Sequence, residues 1–246
     1  MVERIDLSRR AELTESMDSP CSYEDLRGCL RDLAWVNRLT MAHRPVMEWL
    51  ERFARLALLQ RDRTRALRIV DVGCGYGDML RGVERWAARR GLPVELVGID
   101  VNANAVRAAR EATPVESGIE WINADVYSCA RAGDADLITA CGMTHHLSEI
   151  EIVRQLAWME ASARAGWCIV DLHRKPVPYR IFGAATRIGW WHRFIRPDGL
   201  RSIRRSFLAE DWQRMCSAAG LESGDVEIVE FRPARLCVER TKRQAG

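Results

Sequence analysis

Three glycines at alternate positions, Gly73, Gly75 and Gly77, lie in the stretch IVDVGCGYGDML, between a short apolar run and a helix-like segment. Spaced in this way they allow a tight turn and let a ligand approach the main chain. Carboxylates accompany them: Asp71 just before the turn, Asp100 at the end of ELVGID, and Asp125 in NADV. A carboxylate that ends the second strand of such a unit accepts hydrogen bonds from both hydroxyls of a ribose. The turn departs from the GxGxxG dinucleotide fingerprint, because Asp78 stands where the third glycine would fall. A negative charge at that helix start opposes a pyrophosphate. A nicotinamide-dependent oxidoreductase is therefore disfavoured, and a cationic or zwitterionic ligand suits the site.

The stretch GMTHHLSE sets His145 and His146 side by side after another apolar run. An imidazole, with an ordinary pKa near ~6.5, suits the removal of a proton from a reacting group. Adjacent side chains diverge, so one of the pair is expected to face a substrate and the other to pack beneath it or orient it. His173, in VDLHRKP, is the competing base, with His43 and His192 as lesser candidates. No metal is expected, because no third and fourth ligand appears at usable spacing. The eight cysteines are scattered without a CxxC pair, which reads as free thiols in a reducing compartment.

These residues need a scaffold, and from Leu67 onward short apolar runs alternate with helical patterns. Strands are expected at Leu67 to Val72, Val94 to Asp100, Ile119 to Ile122, Leu137 to Cys141 and Trp167 to Leu172. A helix should span Asp78 to Arg90, and Asn102 caps another that runs through Ala112. Ser148 and Glu151 have capping-box spacing. The alternation implies an α/β fold, a parallel sheet with helices on both faces. After a helix from Phe207 to Ala219, Val226 to Phe231 and Leu236 to Arg240 read as a terminal antiparallel pair.

Two regions flank that pattern. Tyr23 to Thr40 spaces Leu26, Leu30, Leu33 and Val36 as a helix does, and a second helix follows Pro45. They should cover the sheet's edge or its ligand face. Between the fifth strand and the last pair lies VPYRIFGAATRIGWWHRFIRPDG, in which Tyr179, Phe182, Trp190 and Trp191 suit an acceptor-binding lid. An amphipathic helix packed on the sheet and weak membrane-surface contact through 179–195 are the other readings. The organisation expected is a helical cap over 1–64 and a ligand-binding domain over 65–246, with the lid insertion at about 176–205.

Composition sets outer limits. The chain has 246 residues and a formal net charge of +3, with Lys175 and Lys242 its only lysines. Its arginines alternate with apolar and acidic neighbours, which argues for a solvated face and against nucleic acid. The N-terminal residues lack an apolar signal region, and no apolar stretch is long enough to span a bilayer. A cytoplasmic protein is expected, with its oligomeric state open.

Taken in order, VDVGCGYG, VGIDVN, NADV and DLITACGMTHHL resemble the successive motifs of class I S-adenosylmethionine-dependent methyltransferases, over roughly Leu67 to Arg240. The flanking regions resemble small-molecule methyltransferases of bacterial secondary metabolism and quinone pathways. This resemblance implies a Rossmann-like fold whose mostly parallel seven-stranded sheet has a reversed last strand. It implies that Gly73, Cys74 and Gly75 line the methionine moiety and that Asp71 orders their loop. Asp100 would hold the ribose and Val101 pack on the adenine. Asp125 would accept from the adenine amino group while Val126 covers its other face. Cys141 and Gly142 would pass near the sulfonium. Such proteins often carry His-His-Leu at this point without a metal. The activity implied is methyl transfer from S-adenosylmethionine, leaving S-adenosylhomocysteine, to a hydroxyl of a small aromatic, polyketide-like or quinone-like acceptor. Carbon methylation of an activated ring, or a non-catalytic protein keeping the cofactor fold, are the alternatives.

Overall fold

The structure is a computed structural model and describes residues 6–16, 19–57, 65–132, 134–187, 192–222 and 224–242. Seven strands form one sheet: β1 (Leu67–Val72), β2 (Val94–Asp100), β3 (Glu120–Asn123), β4 (Leu137–Cys141), β5 (Gly166–Leu172), β6 (Glu227–Phe231) and β7 (Arg235–Thr241). Their order is β3-β2-β1-β4-β5-β7-β6. Pairing is parallel from β3 through β5, and β7 runs antiparallel to both β5 and β6. The expected reversed last strand is present. The order turns back at β1, which has β2 on one side and β4 on the other, so a crevice opens at the carboxyl ends of these strands.

Both faces of the sheet are covered, and alternate strand residues supply the two cores. On one face Leu67 and Ile69 of β1 share a core with Trp49, Leu50 and Phe53 of α2 (Arg44–Ala57) and with Leu80, Val83 and Trp86 of α3 (Asp78–Arg90). On the other, Val70 and Val72 meet Ile152, Leu156 and Met159 of α5 (Glu149–Ser162) and Trp212 and Met215 of α8 (Ala209–Ala218). Helix α2 is thus part of the sheet's own core.

The caps read from sequence are in place. The Asn102 side chain accepts from the amides of Asn104 and Ala105 at the start of α4 (Ala103–Glu111). Ser148 and Glu151 form a reciprocal capping box on α5. Each local signal satisfies amides that the first turn of a helix leaves unpaired.

Helix α1 (Tyr23–Leu39) differs from α2 in that it packs on α4 and on α7 (Ile195–Arg205), over the carboxyl edge of the sheet. Ser22 caps it, and Leu26, Cys29, Leu30 and Val36 form its buried face. The aromatic insertion contains two helices, α6 (Pro176–Ala185) and α7, which pack together. Trp190 and Trp191 lie outside the described residues. The helix expected from Phe207 begins only at Ala209, because Phe207 is fully buried and bridges to His173. All eight cysteines are free thiols. Among the described residues, no helix is long and apolar enough to cross a membrane.

Candidate active site at the carboxyl edge of the sheet

The glycine turn is tied down by the neighbouring strand. The amides of Gly73 and Cys74 both donate to the Ile99 carbonyl, at 2.8 and 3.1 Å. Gly73, Gly75 and Gly77 have φ of +67°, +52° and +75°, a region open to glycine at little cost. Close approach is a second constraint: a Cβ on Gly77 would stand 2.2 Å from the Trp121 ring, and one on Gly73 would stand 2.9 Å from Met143.

Asp100 closes the turn from β2. One of its oxygens accepts from the Gly75 amide at 2.9 Å and the other from the Asn102 amide at 2.8 Å. Burial pushes this carboxyl upward, and the two amide bonds oppose that shift. Each oxygen retains a lone pair for a ribose hydroxyl. Asn123 anchors the end of β2 by donating to the carbonyls of Asp100 and Val101 at 2.9 Å each. Val101 itself is 74% exposed on the cavity wall. Asp125 accepts from the Tyr127 amide at 3.0 Å, and Val126 beside it is buried.

Asp71 joins two strands just before the turn. It is buried, and its carboxylate accepts from the Thr139 hydroxyl at 2.8 Å, a tie from β1 to β4. Burial, aided by the negative charges of Asp78 and Asp100, pushes its pKa up to about 8. Asp78, at the first position of α3, takes a hydrogen bond from Asn37 of α1 at 3.2 Å and lies 3.6 Å from His43 Nε2. Burial pushes the His43 imidazole downward, against the pull of Asp78.

The histidine pair occupies a 3₁₀ turn, Thr144–His146, just after Gly142. Asp171, at the end of β5, organises it. One Asp171 oxygen accepts from the Thr144 hydroxyl at 2.5 Å and the His145 amide at 2.9 Å, and the other meets His145 Nδ1 at 2.8 Å. Burial favours the neutral acid, but His145, the Thr144 hydroxyl and the Leu172 amide override it and hold this carboxyl well below the usual carboxylate range. An ionised carboxylate only accepts, so His145 Nδ1 carries a proton, which leaves Nε2 as the ring's other nitrogen to exchange one. The His146 ring lies 4.2 Å from that of His145, centroid to centroid, with its side chain 30% exposed.

All ten residues expected to hold the cofactor line one cavity of about 680 Å³, and His145 and His146 line it too. Of the four expected lid residues, Phe182 lines it, whereas Tyr179 does not. His173 is also absent from the lining; it is buried next to Phe207, with Nδ1 3.9 Å from Glu230. Its chain position past β5 suggested the ligand edge, but its pairing with Phe207 turns it into the protein.

Two residues of the cavity escaped the sequence reading. Arg235 of β7 brings a guanidinium whose charge burial disfavours. Glu15, in the arm before α1, is only 2% exposed and lies 3.6 Å from His145 Nε2 and 3.9 Å from His146 Nε2. Glu15 and the two histidines each offer a ligand atom within 4.8 Å of the others, a possible metal set. Arg205 Nη1, 3.3 Å from Glu15 Oε1, already supplies that carboxylate with a cation.

The strand order, the reversed β7 and a glycine turn answered by Asp100 on the next strand define a class I methyltransferase fold. Residues 69–166 match the family model described as a methyltransferase domain. That likeness to a methyltransferase domain extends over about two fifths of the chain. Over 76 residues it is 41% identical to trans-aconitate 2-methyltransferase of Azoarcus sp. (strain BH72), covering 30% of this chain and 27% of that protein. It therefore spans about a quarter of that relative's length. Over 200 residues it is 25% identical to a ubiquinone biosynthesis O-methyltransferase of Ralstonia nicotianae, covering 76% and 73% of the two chains. The crystal structure of a plantazolicin methyltransferase with a substrate analogue and SAH superposes with a TM-score of 0.62 at 13% identity, over 90% and 97% of the chains.

Proposed function

We propose that this protein transfers a methyl group from S-adenosylmethionine to a hydroxyl of a small aromatic, polyketide-like or quinone-like acceptor. The observation that carries this reading is His145, fixed by Asp171 through Nδ1, on the same cavity as the glycine turn and Asp100. The site's chemistry fits the cofactor. A cradle that a Cβ would fill, Asp100 ready for a ribose, and the carboxylates of Asp78 and Asp125 suit an adenosyl ligand with cationic groups and no phosphate.

S-adenosylmethionine supplies an activated methyl group on a sulfonium. The chain's own work is to hold an acceptor oxygen in line with it and to take the acceptor's proton. His145 is the base in this reading: Asp171 holds its Nδ1, and the ring lines the cavity. The acceptor oxygen's lone pair forms the new O–CH3 bond, the S–CH3 electron pair stays on sulfur, and the hydroxyl proton passes to Nε2. Leu33 of α1, Ile181 and Phe182 of α6 and Ile195 of α7 give the cavity an apolar wall for the acceptor.

Calorimetric titration with S-adenosylmethionine, S-adenosylhomocysteine and NADH tests the cofactor assignment. Micromolar binding of both adenosyl ligands, around −8 kcal/mol, with none of NADH, is expected. NADH binding alone would overturn it. Incubation with radiolabelled methyl donor and a panel of phenols, hydroxyquinones and enolic pyrones then tests the acceptor class. The position of label in the product separates oxygen from carbon methylation.

A further inference from the structure

We propose that Glu15 is a positioning residue for methyl transfer, delivered by the N-terminal arm to stabilise the imidazolium formed when a histidine of the pair takes the acceptor's proton. The inference rests on the reading of His145 and His146 as the proton-accepting pair.

The arm is built onto the site. Arg10 donates to the carbonyls of His145 and Leu147, at 2.8 and 2.6 Å, and to that of Arg205 at 2.6 Å. Its guanidinium also stacks over the Phe207 ring, 4.3 Å from the centroid. The Ala11 amide donates to the Arg204 carbonyl at 3.0 Å, and the Ser16 amide to Asp198 of α7 at 2.8 Å. These contacts on both sides of Glu15 fix its place. Its two oxygens are divided between the rings, Oε1 toward His145 Nε2 and Oε2 toward His146 Nε2.

That division gives the carboxylate a function that does not depend on which ring takes the proton. At 3.6 and 3.9 Å these two contacts are longer than hydrogen bonds. A proton arriving from the acceptor hydroxyl places a positive charge beside a buried carboxylate, where attraction is strong because little water screens it. Asp171 acts on Nδ1 of one ring only, whereas Glu15 faces Nε2 of both. After transfer the proton returns to solvent and the pair is reset. Arg205, 3.3 Å from Oε1, places a guanidinium beside the carboxylate.

The test uses 4-nitrophenol, whose phenolate absorbs visible light, bound to protein saturated with S-adenosylhomocysteine, about one pH unit below the point where the free probe ionises. In the wild-type protein the bound probe is expected to show the phenolate band, its proton having moved to the pair. Glu15→Gln should reduce that band roughly tenfold with S-adenosylhomocysteine affinity unchanged. Glu15→Asp keeps the charge for Arg205 and should retain most of the band, and it serves if the glutamine variant folds poorly. An equal band in Glu15→Gln, or none in the wild type, overturns the proposal. If Glu15 were only a counter-ion for Arg205, Glu15→Gln would lower the melting temperature and leave the band intact. Failure of S-adenosylhomocysteine to bind the wild type would instead sink the methyltransferase reading.

Discussion

His145 Nδ1 and Asp171 Oδ1 stand 2.8 Å apart, and both residues are almost without solvent exposure. Losing a hydrogen bond to a charged group at such a buried site costs about 1.5–3 kcal/mol. Asp171→Asn should lose stability on that scale in urea unfolding. The pH dependence has a definite sign, because the folded-state pKa of Asp171 is depressed. Its stabilisation is present above the unfolded carboxylate value of about 3.9 and is lost as pH falls below it. The variant's stability should therefore decline less steeply than the wild type's below about pH 4. Parallel acid curves would show that the Asp171 carboxyl is not depressed as described.

Asp71 has the opposite sign. Its folded pKa is raised to about 8, so between about pH 4 and that value the unfolded chain holds fewer protons at this residue than the folded one. Its contribution weakens folding progressively as pH rises through that interval. Asp71→Asn keeps a partner for the Thr139 hydroxyl and cannot ionise. Its melting temperature should rise relative to wild type between pH 5 and 8, measured by calorimetry in matched buffers. A constant difference across the interval would exclude a titrating Asp71.

Asp100→Ala removes the acceptor for the Gly75 amide and the proposed partner of the ribose hydroxyls. Hydrogen bonds to a charged group contribute about 1.5–3 kcal/mol, so affinity for S-adenosylhomocysteine should fall roughly 10- to 100-fold. Isothermal titration reads this directly. Unchanged affinity would remove Asp100 from the ligand site.

Gly77→Ala combines two faults, a side chain at φ +75° and a Cβ 2.2 Å from the Trp121 ring. A loss of about 2–4 kcal/mol is expected from denaturant unfolding. Adding Trp121→Leu should recover the packing share and leave the backbone share. If the double variant is no more stable than the single one, the ring is not what constrains the turn.

What was legible in the sequence was local. The glycine turn and Asp100 are separated by one helix, and strand, turn and helix patterns locate both ends. Asn102 and Ser148 act within three residues of themselves, so spacing alone identified them as caps. Glu15 was illegible because its arm has no helical or strand period and its partners lie some 130 residues away. His173 illustrates the reverse fault. Its position past β5 was read correctly, but chain position does not say which way a ring points, and the bridge to Phe207 decided that. The partner of Asp71 was not legible, since Thr139 becomes its neighbour only when β1 pairs with β4.

The segment matched by the family model, residues 69–166, contains the glycine turn, Asp100, Asp125 and the histidine pair. Glu15, α1, α6 and α7 lie on either side of it, yet they close the same cavity. Under the proposed function, the middle of the chain would hold the donor and the two ends would set what is admitted beside it. Kinship measured over the middle therefore carries little information about acceptor choice. Exchanging the ends between two such proteins, with the middle left intact, is the route by which a new substrate preference would be installed.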